Sequence, residues 1–395
     1  MSDNYLPSEI VLEILHRLPV KSLVKFTSVC RAWNSLITDR TFISDHLSRT
    51  LIQASNGHKG SLFFQFCLGR NLRWHEPPRE YAYSLYSTTN QQTDHHFSVQ
   101  RFPLPCLSFQ PDHCAWFGGA CNGLVSSAHH SRSSGSVTFL IWNPLLRKYV
   151  VLPKPLMTRN RDVYIRYFGL GFDSRNNDYK VVVLMQTHSG QENDHLEVYS
   201  LVSRSWRSVA ISVPKFFLDV EFRSLPLFVN GAMHWVIHRM KDGSIQRSIL
   251  SFDVTEETFG ELTLPLQSNE KSNISTTLLV VEGGGRLAVV NHPRKGTGCF
   301  LHIWVMKEYG VTDSWTEILH LPCGARRCTG RRLDVLALTS NGKGIMRRLD
   351  GGAIVLVDPT KKSMELMGQK ADAAYTGCYV ESLFFINKEF DALSF

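Results

Sequence analysis

The feature that most constrains the fold of this 395-residue chain is a repeat of about 50 residues in its middle and C-terminal parts. In each copy an aromatic or aliphatic residue closes a strand-like segment, at intervals of 57, 53, 52 and 53 residues. These residues are Trp142, Tyr199, Phe252, Trp304 and Val357. In these segments, apolar residues recur at every second position, as they do in β-strands. A unit of this length with several short strands is typical of a propeller blade.

Each copy also carries a glycine turn upstream of this position. These turns are Asn122-Gly123, Gly169-Leu170-Gly171, Asn230-Gly231, Gly284-Gly285 and Asn341-Gly342. Asn-Gly pairs favour tight hairpins because both residues tolerate positive φ. Seven residues after the closing position comes Tyr149, Trp206, Phe259 or Met364, whereas in the fourth copy we expect Trp315, eleven residues after Trp304. The spacing of Tyr199 and Trp206 resembles the kelch pattern.

Strand-like segments lie on both sides of the five copies. The segments SLFFQFCL, YAYSLYS and HFSVQRFPLP precede them, and GCYVESLFFIN follows them. Propellers commonly close by pairing strands from the two ends of the chain, which removes exposed sheet edges. We therefore expect a sixth, composite blade, although five or seven blades stay open at this point. The recurring aromatic side chains are expected in the blade cores: Trp142, Tyr199, Trp206, Trp235, Trp304 and Trp315.

The first fifty residues differ from the rest because their apolar residues follow helical spacing. Pro7 suits the first turn of a helix, and Ile10, Ile14 and Leu18 continue one apolar stripe. Two further helices and a short fourth are expected up to Leu47. A domain this small buries little apolar surface. We therefore expect it to leave an apolar face for a partner.

The string LPSEIVLEILHRLPVKSLVKFTSVCRAWNSLITDRTFISDHL, residues 6–47, resembles an F-box. The matching positions are Leu6, Pro7, Glu9, Ile14, Leu15, Arg17, Leu18, Pro19, Leu23, Val29, Cys30, Trp33, Leu36, Ile37, Phe42, Ile43, His46 and Leu47. The resemblance implies docking onto a Skp-family adaptor that bridges to a cullin. By this resemblance, the candidate adaptor contacts are Leu6, Pro7, Ile14, Leu15, Leu18, Pro19, Leu23, Val29, Cys30 and Trp33. About half of these are expected to pack the small helical core instead.

The repeat region resembles a second family, the F-box-associated domain of plant F-box proteins. The segments that carry this resemblance include CNGLV, IWNPLLRKYVVLP, YFGLGFDSRNNDYKVV and ILSFDVTEETFGELTLP. It spans residues 115–320, with weaker similarity to 386, and implies a target-recognition domain. The chain is thus expected to comprise a small all-α F-box domain of three to four helices (1–50), a linker (51–59) and an all-β, kelch-like propeller (60–395).

The formal net charge of +8 is concentrated in one region. Residues 320–350 hold seven cations against two anions, a net +5, whereas residues 1–50 hold six against five. The cluster Arg326, Arg327, Arg331 and Arg332 is a candidate contact for an acidic patch on a target, although a solvated loop face is the simpler interpretation. No aromatic-interleaved basic groove is visible, so we expect no nucleic-acid partner.

Motifs for catalysis or nucleotide binding are missing from the sequence: there is no P-loop, no Gly-x-Gly-x-x-Gly and no Gly-x-Ser-x-Gly. His320, Cys323 and Cys328 have loose spacing for zinc, and His129-His130 is expected in a solvated loop. We expect neither cofactor nor metal. The nine cysteines are expected to be buried thiols of a reducing compartment, and no signal peptide or membrane span is visible, which favours cytoplasm, nucleus or both.

Three functions follow from these patterns. The first is a non-catalytic substrate-recognition subunit of a Skp–cullin–F-box ubiquitin ligase, in which the propeller binds an unknown target on loops at one face. The candidate loops are 128–136, 187–195, 213–225 and 266–275. The second is a propeller that senses a small ligand or glycan within the same ligase. The third is an enzymatic propeller.

Overall fold

The computed structural model of the chain describes most of its residues. The described ranges are 6–55, 61–68, 80–87, 113–131, 133–157, 163–187, 195–210, 226–241, 244–265, 274–282, 285–293, 300–322, 333–348, 351–361, 363–370, 373–387 and 393–394. Within these ranges the chain forms four helices followed by 24 strands. None of the described helices combines the length and apolar character needed to cross a lipid bilayer.

The four helices form an N-terminal helical domain. They are α1 (Ser8–His16), α2 (Val20–Phe26), α3 (Arg31–Ile37) and α4 (Arg40–Ser55). Pro7 and Pro19 directly precede α1 and α2, as the fixed φ of proline favours. Asp39 caps α4, because its Oδ1 accepts hydrogen bonds from the backbone N–H groups of Thr41 (2.8 Å) and Phe42 (3.3 Å). The fourth helix, expected to be short, is the longest and continues into the segment expected to be a linker.

The strands follow in chain order. They are β1 (Ser61–Leu68), β2 (Glu80–Ser87), β3 (His113–Cys121), β4 (Leu124–Ser131), β5 (Val137–Asn143), β6 (Lys148–Val151), β7 (Val163–Asp173), β8 (Asp178–Thr187), β9 (His195–Ser200), β10 (Ser205–Val209), β11 (Leu227–Val229), β12 (Ala232–Lys241), β13 (Ser244–Asp253), β14 (Phe259–Thr263), β15 (Ile274–Val280), β16 (Leu287–Pro293), β17 (Phe300–Met306), β18 (Trp315–Pro322), β19 (Leu333–Leu338), β20 (Gly344–Arg348), β21 (Ala353–Asp358), β22 (Ser363–Lys370), β23 (Ala373–Tyr379) and β24 (Leu393–Ser394).

Six antiparallel sheets make a six-bladed propeller, as expected. Blade 1 contains β3–β6 with β24 on its outer edge, and blades 2 to 5 contain β7–β10, β11–β14, β15–β18 and β19–β22. Blade 6 is composite: β1 pairs with β2 on one side and with the C-terminal β23 on the other. The strands predicted from SLFFQFCL, YAYSLYS and the start of GCYVESLFFIN thus close the ring, because β23 contacts both β19 and β3.

The cross-strand pairs confirm most of the repeat register and correct one copy. Tyr199 lies opposite Trp206 and Phe252 opposite Phe259, with ring centroids 5.2 Å apart in each pair. In blade 4, however, Trp315 lies opposite Met306 and not Trp304. Met306 and Trp315 are nine residues apart, whereas Tyr199 and Trp206, or Phe252 and Phe259, are seven apart, so a connection two residues longer moves the pair in this blade. A β-bulge between β17 and β18 lies beyond this pair. Trp304 is half-buried, whereas the other five aromatic residues expected in the core are buried.

Of the five expected glycine turns, two have the expected geometry and one was wrong. Gly342 has positive φ (82°) in a longer turn, and Gly284 lies outside the described residues. Asn122 and Gly123 (φ 47° and 85°) and Asn230 and Gly231 (φ 50° and 78°) form left-handed two-residue turns. Gly169-Leu170-Gly171 is instead the interior of β7, and the turn of that blade contains Asn177 (φ 49°). A Cβ at Gly171 would lie 2.6 Å from Val254 Cγ2, so these glycines allow the next blade to pack closely.

The two faces of the propeller are distinguished by where the helical domain sits. In blade 1 the β3–β4 turn (122–123) and the β5–β6 turn (144–147) lie at one face, and the β4–β5 connection lies at the other. The helical core contacts the β5–β6 turn through Leu145 and Leu146. We call this face the docked face and the opposite one the open face.

The chain that leaves β23 fixes the helical domain to the docked face. Leu383 is buried in the helical core, and Val380 packs against Leu47 and Ala54 of α4. The Glu381 carboxylate accepts a hydrogen bond from the backbone N–H of Val20 at the start of α2 (3.1 Å). The two domains therefore share one apolar core.

The buried Asn143 holds this segment against blade 1. Its Nδ2 donates to the carbonyl oxygens of Ser382 and Phe384 (2.9 Å each), and its Oδ1 accepts from the backbone of Leu145 and Leu146. The side chain thereby satisfies four backbone groups at the domain junction. Gly123 provides the room, because a Cβ there would lie 2.8 Å from the Val380 carbonyl oxygen.

Candidate functional site

The apolar residues of the helical domain divide into an inner and an outer set. The inner set is fully or almost fully buried: Leu15, Val20, Leu23, Ile37, Phe42 and Ile43. The outer set is exposed although its members are large and apolar: Leu6, Ile10, Ile14, Val24 and Val29. We call the outer set, together with Pro7, Pro19 and Cys30, the outer apolar surface. Large apolar side chains exposed together on one small domain indicate an interaction site in soluble proteins.

The α1 part of this surface follows one row of the helix. Ile10 and Ile14 are four residues apart in α1, so their side chains lie one above another, and they are 49% and 47% exposed; Leu6, which precedes the helix, is 61% exposed. Leu15 lies next to this row but points inward and is completely buried. The same helix therefore supplies one face to the domain core and another to solvent.

The part of the surface formed by α2, α3 and the turn between them includes Val24, Val29 and Cys30. Val29 is 60% exposed, and the Cys30 Sγ accepts a hydrogen bond from the Trp33 backbone N–H (3.4 Å). Cys30 thus caps α3 from an exposed position, which corrects the expectation that every cysteine is buried. Cys121, in contrast, is buried, and burial raises the pKa of its thiol well above the usual range.

The structure divides the ten candidate adaptor contacts into three groups. Leu6, Pro7, Ile14, Pro19, Val29 and Cys30 are exposed, and Leu18 and Trp33 are half-buried. Leu15 and Leu23 are completely buried in the core shared with Leu383, so neither can touch a partner of the folded domain. Ile10 and Val24 are also exposed but were not among the ten candidates, although Ile10 lies one turn before Ile14 in α1.

Polar contacts behind the surface hold α1 against α4. The Glu13 carboxylate accepts from Arg49 (2.8 Å) and Arg17 (3.0 Å), and these contacts lower the pKa of Glu13, the Arg49 hydrogen bond most strongly. The His16 ring stacks on Phe42 with centroids 4.4 Å apart, and burial lowers the pKa of His16. His46 Nε2 donates to the Leu18 carbonyl oxygen (3.0 Å), which fixes the α1–α2 connection to α4.

The candidate target loops all begin or end at the open face. The parallel bridge between Val281 and Leu338 shows that the innermost strands of neighbouring blades run in the same direction. Because successive strands in a blade are antiparallel, β8, β10 and β14 therefore end at the open face. Of these loops, 128–136 is mostly described. Its first residues, up to Ser131, belong to β4, and Ser131, Ser133 and Ser134 form a hydroxyl-rich hairpin tip. The segments 188–194, 213–225 and 266–273 lie outside the described residues.

The basic region 320–350 is only partly described. Arg326, Arg327, Arg331 and Arg332 lie outside the described residues. Two cations counted with them are paired: Arg347 with Asp334 (2.7 Å) and Lys343 with Asp358 (3.5 Å). The described part of the cluster is therefore partly neutralised, which weakens the electrostatic case for an acidic target.

Three potential metal-ligating side chains meet on blade 4, and the sequence indicated only one of them. They are His302, Glu317 and His320, whose ligand atoms all lie within 4.8 Å of one another. Cys323 and Cys328 lie outside the described residues. The pair His129-His130 was wrongly expected in a solvated loop. Both residues belong to β4, and His129 is buried.

A cavity of about 230 Å³ lies between blades 4 and 5. It is lined by apolar side chains, such as Val281 and Leu338, and by the cations Arg286 and Lys307. It lies at the docked face, because it includes the β19–β20 turn at Asn341. Its volume is below the roughly 300–1,000 Å³ of drug-sized ligand pockets, so it gives little support to the ligand-sensing alternative.

Comparison with known proteins identifies both parts of the chain. Residues 82–384 match the model of the F-box associated beta propeller domain, and residues 4–45 match that of the F-box domain. An F-box/kelch-repeat protein of Arabidopsis thaliana is 28% identical over 81% of this chain and 80% of its own length. The F-box protein CPR1 of Arabidopsis thaliana is 26% identical over 92% and 84%.

Solved structures resemble the chain only remotely. Prolyl oligopeptidase B from Galerina marginata has a TM-score of 0.39 and 12% identity over 64% of this chain and 37% of its own. The Aleuria aurantia lectin has a TM-score of 0.36 and 9% identity over 75% and 90%. Neither likeness carries an argument about function.

Proposed function

This chain belongs to the F-box proteins that carry an F-box-associated β-propeller domain, and we propose that it is the substrate-recognition subunit of a Skp–cullin–F-box ubiquitin ligase. The outer apolar surface carries this proposal. It lies on a helical domain whose inner face is already covered by the propeller, and among the described residues these large apolar side chains stay largely exposed to solvent. The proposed partner is a Skp-family adaptor, and through it a cullin.

The structure narrows the proposed adaptor contacts to side chains that can reach a partner. Leu18 and Trp33 contribute their accessible parts, and the exposed ones are Leu6, Pro7, Ile10, Ile14, Pro19, Val24, Val29 and Cys30. Leu15 and Leu23 act only by keeping α1 and α2 in place. Truncation of a central apolar contact at a protein interface typically costs about 2 kcal/mol, or roughly thirtyfold in affinity.

The double variant Leu6→Ala/Pro7→Ala tests adaptor docking. We expect the purified chain to retain a Skp-family adaptor in a pull-down, and the variant to lose it while its thermal unfolding is unchanged. Ile52→Ala is the matched control, because Ile52 is 60% exposed on the same domain but lies near the end of α4, outside the outer apolar surface. Undiminished adaptor binding by the double variant would refute the assignment.

We further propose that the propeller binds its target protein at the open face. The docked face is occupied in part by the helical domain, whereas Ser133 and Ser134 at the open-face end of blade 1 are exposed. The ligase would then act by proximity, because a target held on the open face has a high effective concentration near the ubiquitin-carrying enzyme. The subunit itself would be non-catalytic and work in the cytoplasm, the nucleus or both, without nucleic-acid or membrane partners.

The target is best captured with the full-length double variant. Deletion of the helical domain would expose Leu383 and Val380, which are buried against it. The full-length Leu6→Ala/Pro7→Ala chain keeps this junction and lacks only the proposed docking contacts. Under proteasome inhibition we expect it to enrich the same proteins as the wild-type chain, without the adaptor. Loss of these proteins from the variant would contradict target binding by the propeller.

A further inference from the structure

His302, Glu317 and His320 converge on the two outer strands of blade 4. His302 in β17 lies directly opposite His320 in β18, and their ring centroids are 4.5 Å apart. The Nδ1 atoms of both histidines face the same oxygen of Glu317: the Oε1 lies 2.6 Å from His302 and 3.7 Å from His320. Two imidazole nitrogens and one carboxylate oxygen are thus directed toward a common point.

The β-bulge explains why Glu317 takes part. Along β18, Leu319 pairs with Ile303 and Glu317 pairs with Trp304, so Ile318 is an additional residue in the strand. In a regular strand, His320 and Glu317 would point to opposite faces of the sheet because side chains alternate. The additional residue reverses the alternation and brings Glu317 to the face of the two histidines. The bulge therefore builds a three-residue cluster from what would otherwise be a histidine pair.

The dimensions of the cluster fit a zinc ion. Zinc is bound by histidine nitrogen and carboxylate oxygen at about 2.0–2.2 Å, so neighbouring ligand atoms of a tetrahedral site lie about 3.4 Å apart. The separations of 2.6 and 3.7 Å from Glu317 Oε1 lie on either side of this value. All three ligand atoms lie within 4.8 Å of one another. Small side-chain rotations that move these atoms by about an ångström would therefore bring them to tetrahedral spacing.

The burial of the cluster is also suitable for an ion that exchanges with solvent. The side chains of His302 and Glu317 are 26% and 31% exposed, and that of His320 is 48% exposed. They lie near the ends of β17 and β18 that reach the open face. An ion here would be accessible from solvent on one side and supported by the sheet on the other.

We propose that His302, Glu317 and His320 bind a zinc ion. Two histidines and one glutamate are the ligand set of open, three-ligand zinc sites, in which water occupies the fourth position. Zinc would displace the hydrogen bond between His302 and Glu317, and each histidine would present an unprotonated Nδ1. The ion would join β17 to β18 across the bulge. This site is independent of adaptor docking and of the identity of the target.

Equilibrium dialysis of the full-length, metal-free chain against Zn²⁺ tests the site. We expect the wild-type chain to bind one more zinc ion than each of the variants His302→Ala, Glu317→Gln and His320→Ala. Loss of a group that merely orients a zinc ligand costs about 10–100-fold in affinity, so loss of a ligand should weaken binding at least tenfold. Co²⁺ should give a tetrahedral visible absorption band with the wild-type chain that each variant lacks or strongly reduces.

His130→Ala is the matched control, because His130 lies on β4 in blade 1 and stacks on Trp116, far from the cluster in the ring. This variant should bind zinc as the wild-type chain does. Thermal unfolding without metal shows whether each variant is folded, and added Zn²⁺ should raise the Tm only where the cluster is intact. No zinc binding by the folded wild-type chain, or binding that all three variants retain, would overturn the proposal.

Discussion

Truncation of Leu383 should make local opening of the helical domain easier while the propeller stays folded. Leu383 belongs to the propeller segment after β23, but it is 1% exposed and packs among Leu15, Leu23 and Ile37 of the helical core. Leu→Ala substitutions at fully buried positions cost about 2–5 kcal/mol. In Leu383→Ala the lost packing energy comes from the core that Leu383 shares with the helices. The free energy for local opening of the helical domain should therefore fall by at least about 2 kcal/mol.

Hydrogen exchange with mass-spectrometric detection measures this opening directly. A loss of about 2 kcal/mol corresponds to a roughly thirtyfold faster exchange for amides that exchange by opening of the domain. We expect this acceleration in peptides that cover α1, α2 and α4. Peptides from blades 3 and 4, which lie away from the junction, should exchange at the wild-type rate.

Leu250→Ala is the control for the specificity of this effect. Leu250 is equally buried but lies in β13, in the core between blades 2 and 3. Its truncation should accelerate exchange in β12 and β13 and leave the helical peptides unchanged. If Leu383→Ala leaves exchange in α1, α2 and α4 at the wild-type rate, the helical core does not depend on the propeller, and the shared-core account is wrong.

Three further predictions concern other parts of the molecule. Gly123→Ala should destabilise the chain more than Gly231→Ala, as measured by urea unfolding, because both sites have positive φ but only a Cβ at Gly123 would meet the segment after β23; equal losses would contradict this. Burial would raise the pKa of Asp173, but hydrogen bonds from Lys180 and Asn176 outweigh it and lower the pKa to about 2. The carboxylate should thus stabilise the fold above pH about 4, and the stability difference between the wild-type chain and Asp173→Asn should narrow as the pH falls toward 2; a constant difference would argue against the ion pair with Lys180. Finally, Cys30 should react with iodoacetamide in the free chain and be protected in the adaptor complex, whereas buried Cys121 should resist in both; an equally reactive Cys30 in the complex would remove it from the interface.

The propeller was predictable because its repeat is local. Each blade is built from consecutive strands, so the spacing of Tyr199 and Trp206, or of Phe252 and Phe259, reports a pair that meets across one hairpin. The composite sixth blade was also predictable, since the strands near both ends of the repeats needed partners. Blade 4 was misaligned by two residues because its β17–β18 connection is longer, and the hydrophobic pattern does not show whether Trp304 or Met306 closes the strand.

The helical surface was predictable only in part, for a reason that lies outside the helices. Helical spacing groups Leu15 and Leu23 with other apolar residues, and the resemblance offered both as adaptor contacts. What buries them includes Leu383, more than 300 residues away in the chain. No pattern within residues 6–47 contains this information. The zinc cluster was missed for the same kind of reason, because Glu317 reaches the histidines only through the bulge.

The footprint of a purified Skp-family adaptor on the full-length chain tests the central claim most directly. Hydrogen exchange of the chain with and without the adaptor would locate the bound surface. The account predicts slower exchange in peptides that cover α1, α2 and α3, with little change in the last turns of α4 and in the hairpin tip around Ser133 and Ser134. No binding, or protection confined to the propeller, would contradict it.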